Sequence, residues 1–145
     1  MSKSNSWESA LALLVFNNTN AANIGDATGL RGSSTAGSLY LSLHTSDPGE
    51  AGDQTTNEIS YTSYARAAVA RSGSGFTVTA GAIALAANAD FPAGTGGTGT
   101  ATHFGIGTAS SGAGVLLYKG AISPNIVCGD GVTPRINAGT VVTED

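Results

Sequence analysis

Apolar and polar residues alternate along most of this chain. Leu39, Leu41 and Leu43 interleave with Tyr40, Ser42 and His44, the period of two expected of a strand with one face on a core. Asp47-Pro48-Gly49 must end that strand, because proline has no amide hydrogen for the ladder and pushes the residue before it into an extended conformation. Tyr64 to Arg71 predicts a second strand, closed by Gly73-Ser74-Gly75. Phe76 and Val78 alternate with Thr77 and Thr79, Gly81 breaks the run, and Ile83 with Leu85 resumes it. Residues 76–86 are therefore two short strands or one bent strand. Phe91 before Pro92 is expected to be extended, with its ring anchored in the core. Thr100 to Thr108 predicts a central strand with Thr102, Phe104 and Ile106 on one face and Ala101, His103 and Gly105 on the other. A turn at Ser110 to Gly114 leads into a strand from Val115 to Ile122, with Leu117 inward, and this pair is the clearest hairpin in the chain. Pro124 and Gly129-Asp130-Gly131 then punctuate short strands near 125–128, 132–137 and 139–143.

One stretch has a different period. Trp7, Ala10, Leu11, Leu14 and Val15 recur at helical spacing, and Asn5 with Glu8 forms an approximate capping box for the first turn. Leu13 and Phe16 lie off that stripe and are apolar too, so the helix is either buried or shared with a neighbour; at this length it would not persist alone in water. Met1 to Asn5 is expected to be a mobile tail, or an arm that orders only on a partner. Asn17 to Gly37 is glycine- and asparagine-rich and predicts a long loop, a candidate contact with another subunit because such loops are uncommon inside compact domains. The expected organisation is one domain: 1–18 arm and helix, 19–37 long loop, 38–145 β domain. Its class is all-β, a sandwich or jelly-roll-like barrel of about eight short strands behind one helix.

Composition narrows the function. The 145 residues match the modal size of a single domain. Charged residues are 11% and the net charge is -4, so no Lys/Arg stripe is there to neutralise phosphates and direct nucleic-acid binding is not expected. The low charge fits a surface that becomes interface in an assembly; a plain Ser/Thr surface without a partner is the alternative. No window approaches the ~20 apolar residues of a membrane span. Lys3 precedes no cleavage-site pattern, so the whole chain is expected to be the mature protein, made in a cytoplasm. Cys128, the single cysteine, allows no intrachain disulfide and is expected to be a buried, inert thiol.

Candidate chemistry is sparse. His44, His103 and Cys128 form no zinc-type spacing, and no nucleophile elbow is present; structural histidines are expected, and no catalytic residue. Asp47, Glu50, Asp53 and Glu58 border an acidic loop that invites a calcium ion, but the D-x-D-x-D-G spacing is missing, so solvated surface acids are expected. Gly94-Thr95-Gly96-Gly97-Thr98-Gly99 matches G-x-G-x-x-G letter for letter. That motif binds a pyrophosphate only where a strand leads in and a helix leads out, and here the lead-out reads as a strand. No cofactor or metal is expected.

Leu39-Tyr40-Leu41-Ser42-Leu43-His44-Thr45-Ser46-Asp47-Pro48, followed by Tyr64-Ala65-Arg66 and later Ala101-Thr102-His103-Phe104-Gly105-Ile106, resembles a family of small virion structural proteins of tailed bacteriophages and prophages. The resemblance runs from the N-terminal helix to the final Thr-Val-Val-Thr-Glu-Asp. Members are often labelled tail fibre proteins, and some are head decoration (cement) proteins. The resemblance implies a virion component without enzymatic activity. Its first reading is a decoration protein that clamps major capsid subunits, with the major capsid protein and copies of itself as partners. The alternative is a tail fibre, tail tip or baseplate component that meets other tail proteins and a bacterial surface receptor. An extended shaft is disfavoured, since a compact chain of this length has a radius of gyration near ~15 Å and no repeat or heptad draws it out.

Overall fold

The computed structural model describes residues 2–143. Residue 1 of the expected arm and the end of the β domain at 144–145 lie outside the described residues. Helix α1 (Asn5–Asn17) is followed by strands β1 (Ser38–His44), β2 (Ala67–Ala70), β3 (Phe76–Thr79), β4 (Ala82–Leu85), β5 (Ala89–Asp90), β6 (Thr98–Gly107), β7 (Leu116–Gly129), β8 (Arg135–Ile136) and β9 (Val141–Thr143). They form three sheets, in the orders β2-β1-β6-β7, β3-β4-β9 and β5-β8. The fold is mainly β, as the alternation predicts, and among the described residues no sheet closes into a barrel. The chain clusters into two compact units, one built from the residues up to Ser38, Val69–Asn88 and Asn137 onward, the other from Leu39–Ala68 and Ala89–Ile136.

The first unit holds α1 and the β3-β4-β9 sheet. Its core is Phe16 and Phe76, both essentially fully buried, whose rings meet edge to face at 4.9 Å. Ile83 and Leu85 complete it, and each such side chain contributes roughly 1.5–3 kcal/mol by leaving water. The helix differs from the expected pattern at both its start and its inward face. Ser4, in an extended conformation, is the N-cap and accepts from the Trp7 amide, so Asn5 is already helical. Ala12 and Phe16 are the fully buried positions, while Trp7, Leu11, Leu14 and Val15 are only half-buried. With apolar residues on two sides, periodicity could not choose between faces, and the Phe16–Phe76 contact decides it.

The end of α1 is capped from a distance. Asn18 takes a left-handed conformation, φ 56°, and its side-chain amide pairs with both backbone groups of Ser33 at 2.7 and 2.8 Å. Arg71 donates to Val15 O at 2.6 Å, Leu14 O at 2.8 Å and Ala36 O at 3.1 Å. It thus places a cation where the last helical carbonyls lack partners. The long loop is therefore organised: Ala21 and Leu30 pair as a bridge, and Asp26 Oδ1 accepts from the amides of Thr28 and Gly29 within their turn.

The second unit is built on β1, β6 and β7. Leu41 and Leu43 of β1 lie opposite Ile106 and Phe104 of β6, and all four are buried. Phe91 is buried as expected and stacks on Tyr64 at 6.2 Å. Two expectations are corrected here. The expected strand at Tyr64 to Arg71 shrinks to Ala67–Ala70, because Tyr64 and Arg66 leave the ladder to serve a buried polar network. The two expected strands between 115 and 128 are one continuous β7, in which five residue steps from Ala121 to Ile126 face two of β6 from Ala101 to His103. The extra residues bulge out around Pro124, which cannot donate to a ladder. A second register shift, where Gly107 faces Leu116 and Ile106 faces Tyr118, leaves Leu117 36% exposed rather than inward.

Candidate docking site

Two loops of the second unit, 45–58 and 108–115, are fixed to one another by buried polar side chains. Residues 45–58 leave β1 and return beside it, the Thr45 amide donating to Asn57 O at 2.8 Å and the Ile59 amide to Leu43 O at 2.9 Å. Gln54 of this loop is fully buried. It lies over Gly107, where a Cβ would come within 2.2 Å of its Cδ, so a side chain at 107 would displace it. Gln54 Oε1 accepts from the Ala109 amide at 2.9 Å, its Nε2 donates to Tyr40 O at 3.4 Å, and its backbone amide donates to Ala113 O at 2.9 Å. One residue thereby ties loop 45–58 to β1 and to loop 108–115.

Arg66 braces the same loops from the other side. Its Nε and Nη2 donate to the two oxygens of Glu58 at 2.7 Å each, a bidentate pair with defined geometry. Nη1 donates to Ala109 O at 2.9 Å and Nη2 also to Gly112 O at 2.8 Å. The Arg66 side chain is 2% exposed, and its hydrogen bond to Glu58 holds its pKa above the ordinary value against the cost of burial. The Tyr64 hydroxyl donates to Glu58 Oε1 at 2.9 Å and accepts from the Leu43 amide at 3.1 Å. Burial, with Glu58 beside it, pushes its pKa far up.

His44 is buried on the same strand end. Its Nδ1 lies 2.8 Å from Thr56 O, and its Nε2 2.8 Å from Ser42 Oγ. A carbonyl only accepts, so Nδ1 carries the proton and Nε2 accepts from the serine. Burial lowers the His44 pKa, keeping the ring neutral.

Among the described residues no buried side-chain nitrogen or oxygen lacks a partner. A buried network in which each nitrogen and oxygen is hydrogen-bonded holds the loops in one shape. What it supports is a stiff outer surface of Thr45, Ser46, Glu50, Thr55 and Ser110 to Val115, all exposed. Small polar loops on a rigid scaffold are where binding surfaces are usually placed. Beside them runs an open groove of about 270 Å³ lined by Gly49, Glu50, Gly52 and the start of β7. At its rim Lys119 pairs with Asp47 at 3.1 Å and Glu50 at 3.2 Å.

A family model described as Podophage GP4 fiber I protein gp80 matches residues 3–144. The chain belongs to this family. None of the curated proteins compared with it matches. Membership makes this gp80-family chain a structural component of a phage virion, as the resemblance implied, with other virion proteins as its neighbours. Among the described residues no helix is long and apolar enough to cross a membrane.

The remaining candidate residues of the gp80-family chain take structural places. His103 lies opposite His44 in the β1–β6 ladder, but its Nδ1 meets Thr102 Oγ1 at 2.9 Å while both His44 nitrogens are occupied. Cys128 is buried opposite Gly99. That is four residues along β6 from His103, roughly 13 Å at the rise of a strand, and burial raises the thiol pKa. The acids of the loop each serve a protein group. Asp47 accepts from the Gly49 amide and Lys119, which lower its pKa; Asp53 accepts from Thr55, which lowers its own; Glu58 holds Arg66. Among the described residues no three His, Cys, Asp or Glu gather as a metal site. The run Gly94 to Gly99 leads into β6, not a helix, and is stitched by the Gly94 amide to Val132 O and by the Thr62 amide to Gly96 O, both at 2.9 Å.

Gln54, Glu58 and Arg66 were not legible as a unit. The available signal was a lone arginine inside Ala65-Arg66-Ala67 with a carboxylate eight residues earlier. A charge among small, strand-forming residues needs a buried partner.

Proposed function

We propose that this protein is a compact component of the phage tail fibre that works by docking, without catalysis, and that the braced loop end of its second unit is the docking face. The observation that carries this reading is the Glu58–Arg66–Gln54 network, which commits its polar groups to holding loops 45–58 and 108–115 in place. The family description, a fibre protein, supports the tail. A chain without a repeat supports a globular adaptor or tip at the fibre over a shaft.

A second reading, a decoration protein that clamps major capsid subunits, is favoured by the 11% charged composition, which suits a surface largely covered by neighbours. Copy number separates the two. Quantitative mass spectrometry of purified virions should give a few tens of copies or fewer per particle for a tail component. Hundreds of copies would reject the tail and support the head.

A further inference from the structure

We infer that the groove beside β7 receives the 24–31 loop of a second copy of this chain, with Arg31 meeting Asp47 and Glu50 and with Leu30 entering the groove. The proposal needs the loop end to be a docking face but does not depend on whether the protein sits on the tail or the head.

The groove has Leu116 and Leu117 on one wall of a lining that is otherwise mostly polar, with Glu50 and Lys119 among it. Asp47 and Glu50 share the single ammonium of Lys119; two carboxylates against one cation leave one negative charge in excess. Glu50 is 94% exposed, so its carboxylate is open to an incoming cation. Val115 at 59% and Leu117 at 36% extend the apolar surface along the strand. The volume, about 270 Å³, falls under the roughly 300–1,000 Å³ of small-molecule sites and suits inserted side chains.

The chain itself carries a match. Ile24 and Leu30 are 41% and 43% exposed on a loop that the Ala21–Leu30 bridge and the Asp26 side chain already hold in shape, so little order has to be imposed when it docks. Arg31 follows directly, is exposed, and among the described residues has no ion-pair partner. By contrast Arg66, Arg71, Lys119 and Arg135 are each engaged, with Glu58, the α1 carbonyls, the groove acids and Asp90 respectively. An apolar pair next to an unneutralised cation on one patch complements an apolar strip next to unneutralised acid on the other, the pattern that fixes register between partners. The contact joins unlike patches through one loop and one groove, so it is weak for one pair and strengthens where many copies are held together.

Sedimentation velocity of the full chain at increasing concentration tests this with four proteins: wild type, Arg31→Glu, Glu50→Arg and the double reversal. Both positions are exposed and lie outside the polar network, so circular dichroism should be unchanged. The wild type should self-associate, less so at high salt. Each single reversal should weaken association by about tenfold or more, and the double reversal should return it to within about threefold of wild type, as coupled charge pairs do. A wild type that stays monomeric to millimolar concentration overturns the inference. So does association that ignores the single reversals or is not restored by the double one. Loss of association here with a low virion copy number would leave the tail reading standing, and a high copy number with restored association would do the opposite.

Discussion

Replacing Arg66 by methionine keeps much of its aliphatic bulk and removes four hydrogen bonds, two to Glu58 and one each to Ala109 O and Gly112 O. Breaking a buried pair leaves its other member uncompensated, and Arg66→Met should cost about 3 kcal/mol in urea unfolding at pH 7.5. That is the low end of the range because Glu58 retains some exposure. A loss under about 1 kcal/mol would class the pair with exposed ion pairs and remove the brace from the account. His44 acts at the same scale through pH. Its folded pKa lies below the ordinary 6.5, so below that pH the unfolded chain takes a proton that the folded one refuses. Its contribution is complete above about pH 6.5 and is lost as pH falls toward the lowered folded value, at no more than about 1.4 kcal/mol per pH unit. The carboxylates of Asp47, Asp53 and Asp90 are lowered from 3.8 and act only in stronger acid. Urea midpoints should therefore drop between pH 7.5 and 5.5 in the wild type and drop less in His44→Gln; equal drops would contradict the assignment.

The element scale shows which structure the sequence carries by itself. β3 and β4 are joined by Ala80-Gly81, both at positive φ, 51° and 81°. This is a two-residue turn of the kind that favours Asn-Gly, because alanine in that region is strained. Ala80→Asn should raise stability by about 0.5–1 kcal/mol, read as a higher urea midpoint with unchanged slope; a fall would show that the turn has another geometry. At α1, Arg71→Met should release the Leu14 and Val15 carbonyls and cost about 1–2 kcal/mol, visible as faster amide exchange in the last turn. Alternation located the β1, β3, β4 and β6 strands because large apolar side chains alternate with polar or small ones in each, even where both faces are buried, as at the ends of β1 and β6. It misplaced Leu117, since a register shift one residue away reverses which face a side chain takes, and such shifts leave no trace in periodicity. It likewise divided β7 at Pro124, where the strand bulges and continues. The docking end was less legible still. Its position depends on Gln54 and Arg66 both reaching the backbone of loop 108–115, at sequence separations of 43 to 55 residues, whereas the acidic loop and the glycine run stood out locally and became solvent face and stitching.

For the whole molecule, a gp80-family chain in which, among the described residues, every buried side-chain nitrogen and oxygen has a partner, and whose small polar loops face outward, suits the docking role proposed for it on the virion. Cryo-electron microscopy of intact virions, resolved to the level of strands, measures this most directly. Density for the β2-β1-β6-β7 sheet should lie at the tail fibre, with loops 45–58 and 108–115 covered by a neighbouring protein. Those loops standing bare in solvent while other faces are covered, or the sheet lying across the capsid shell, would contradict the account.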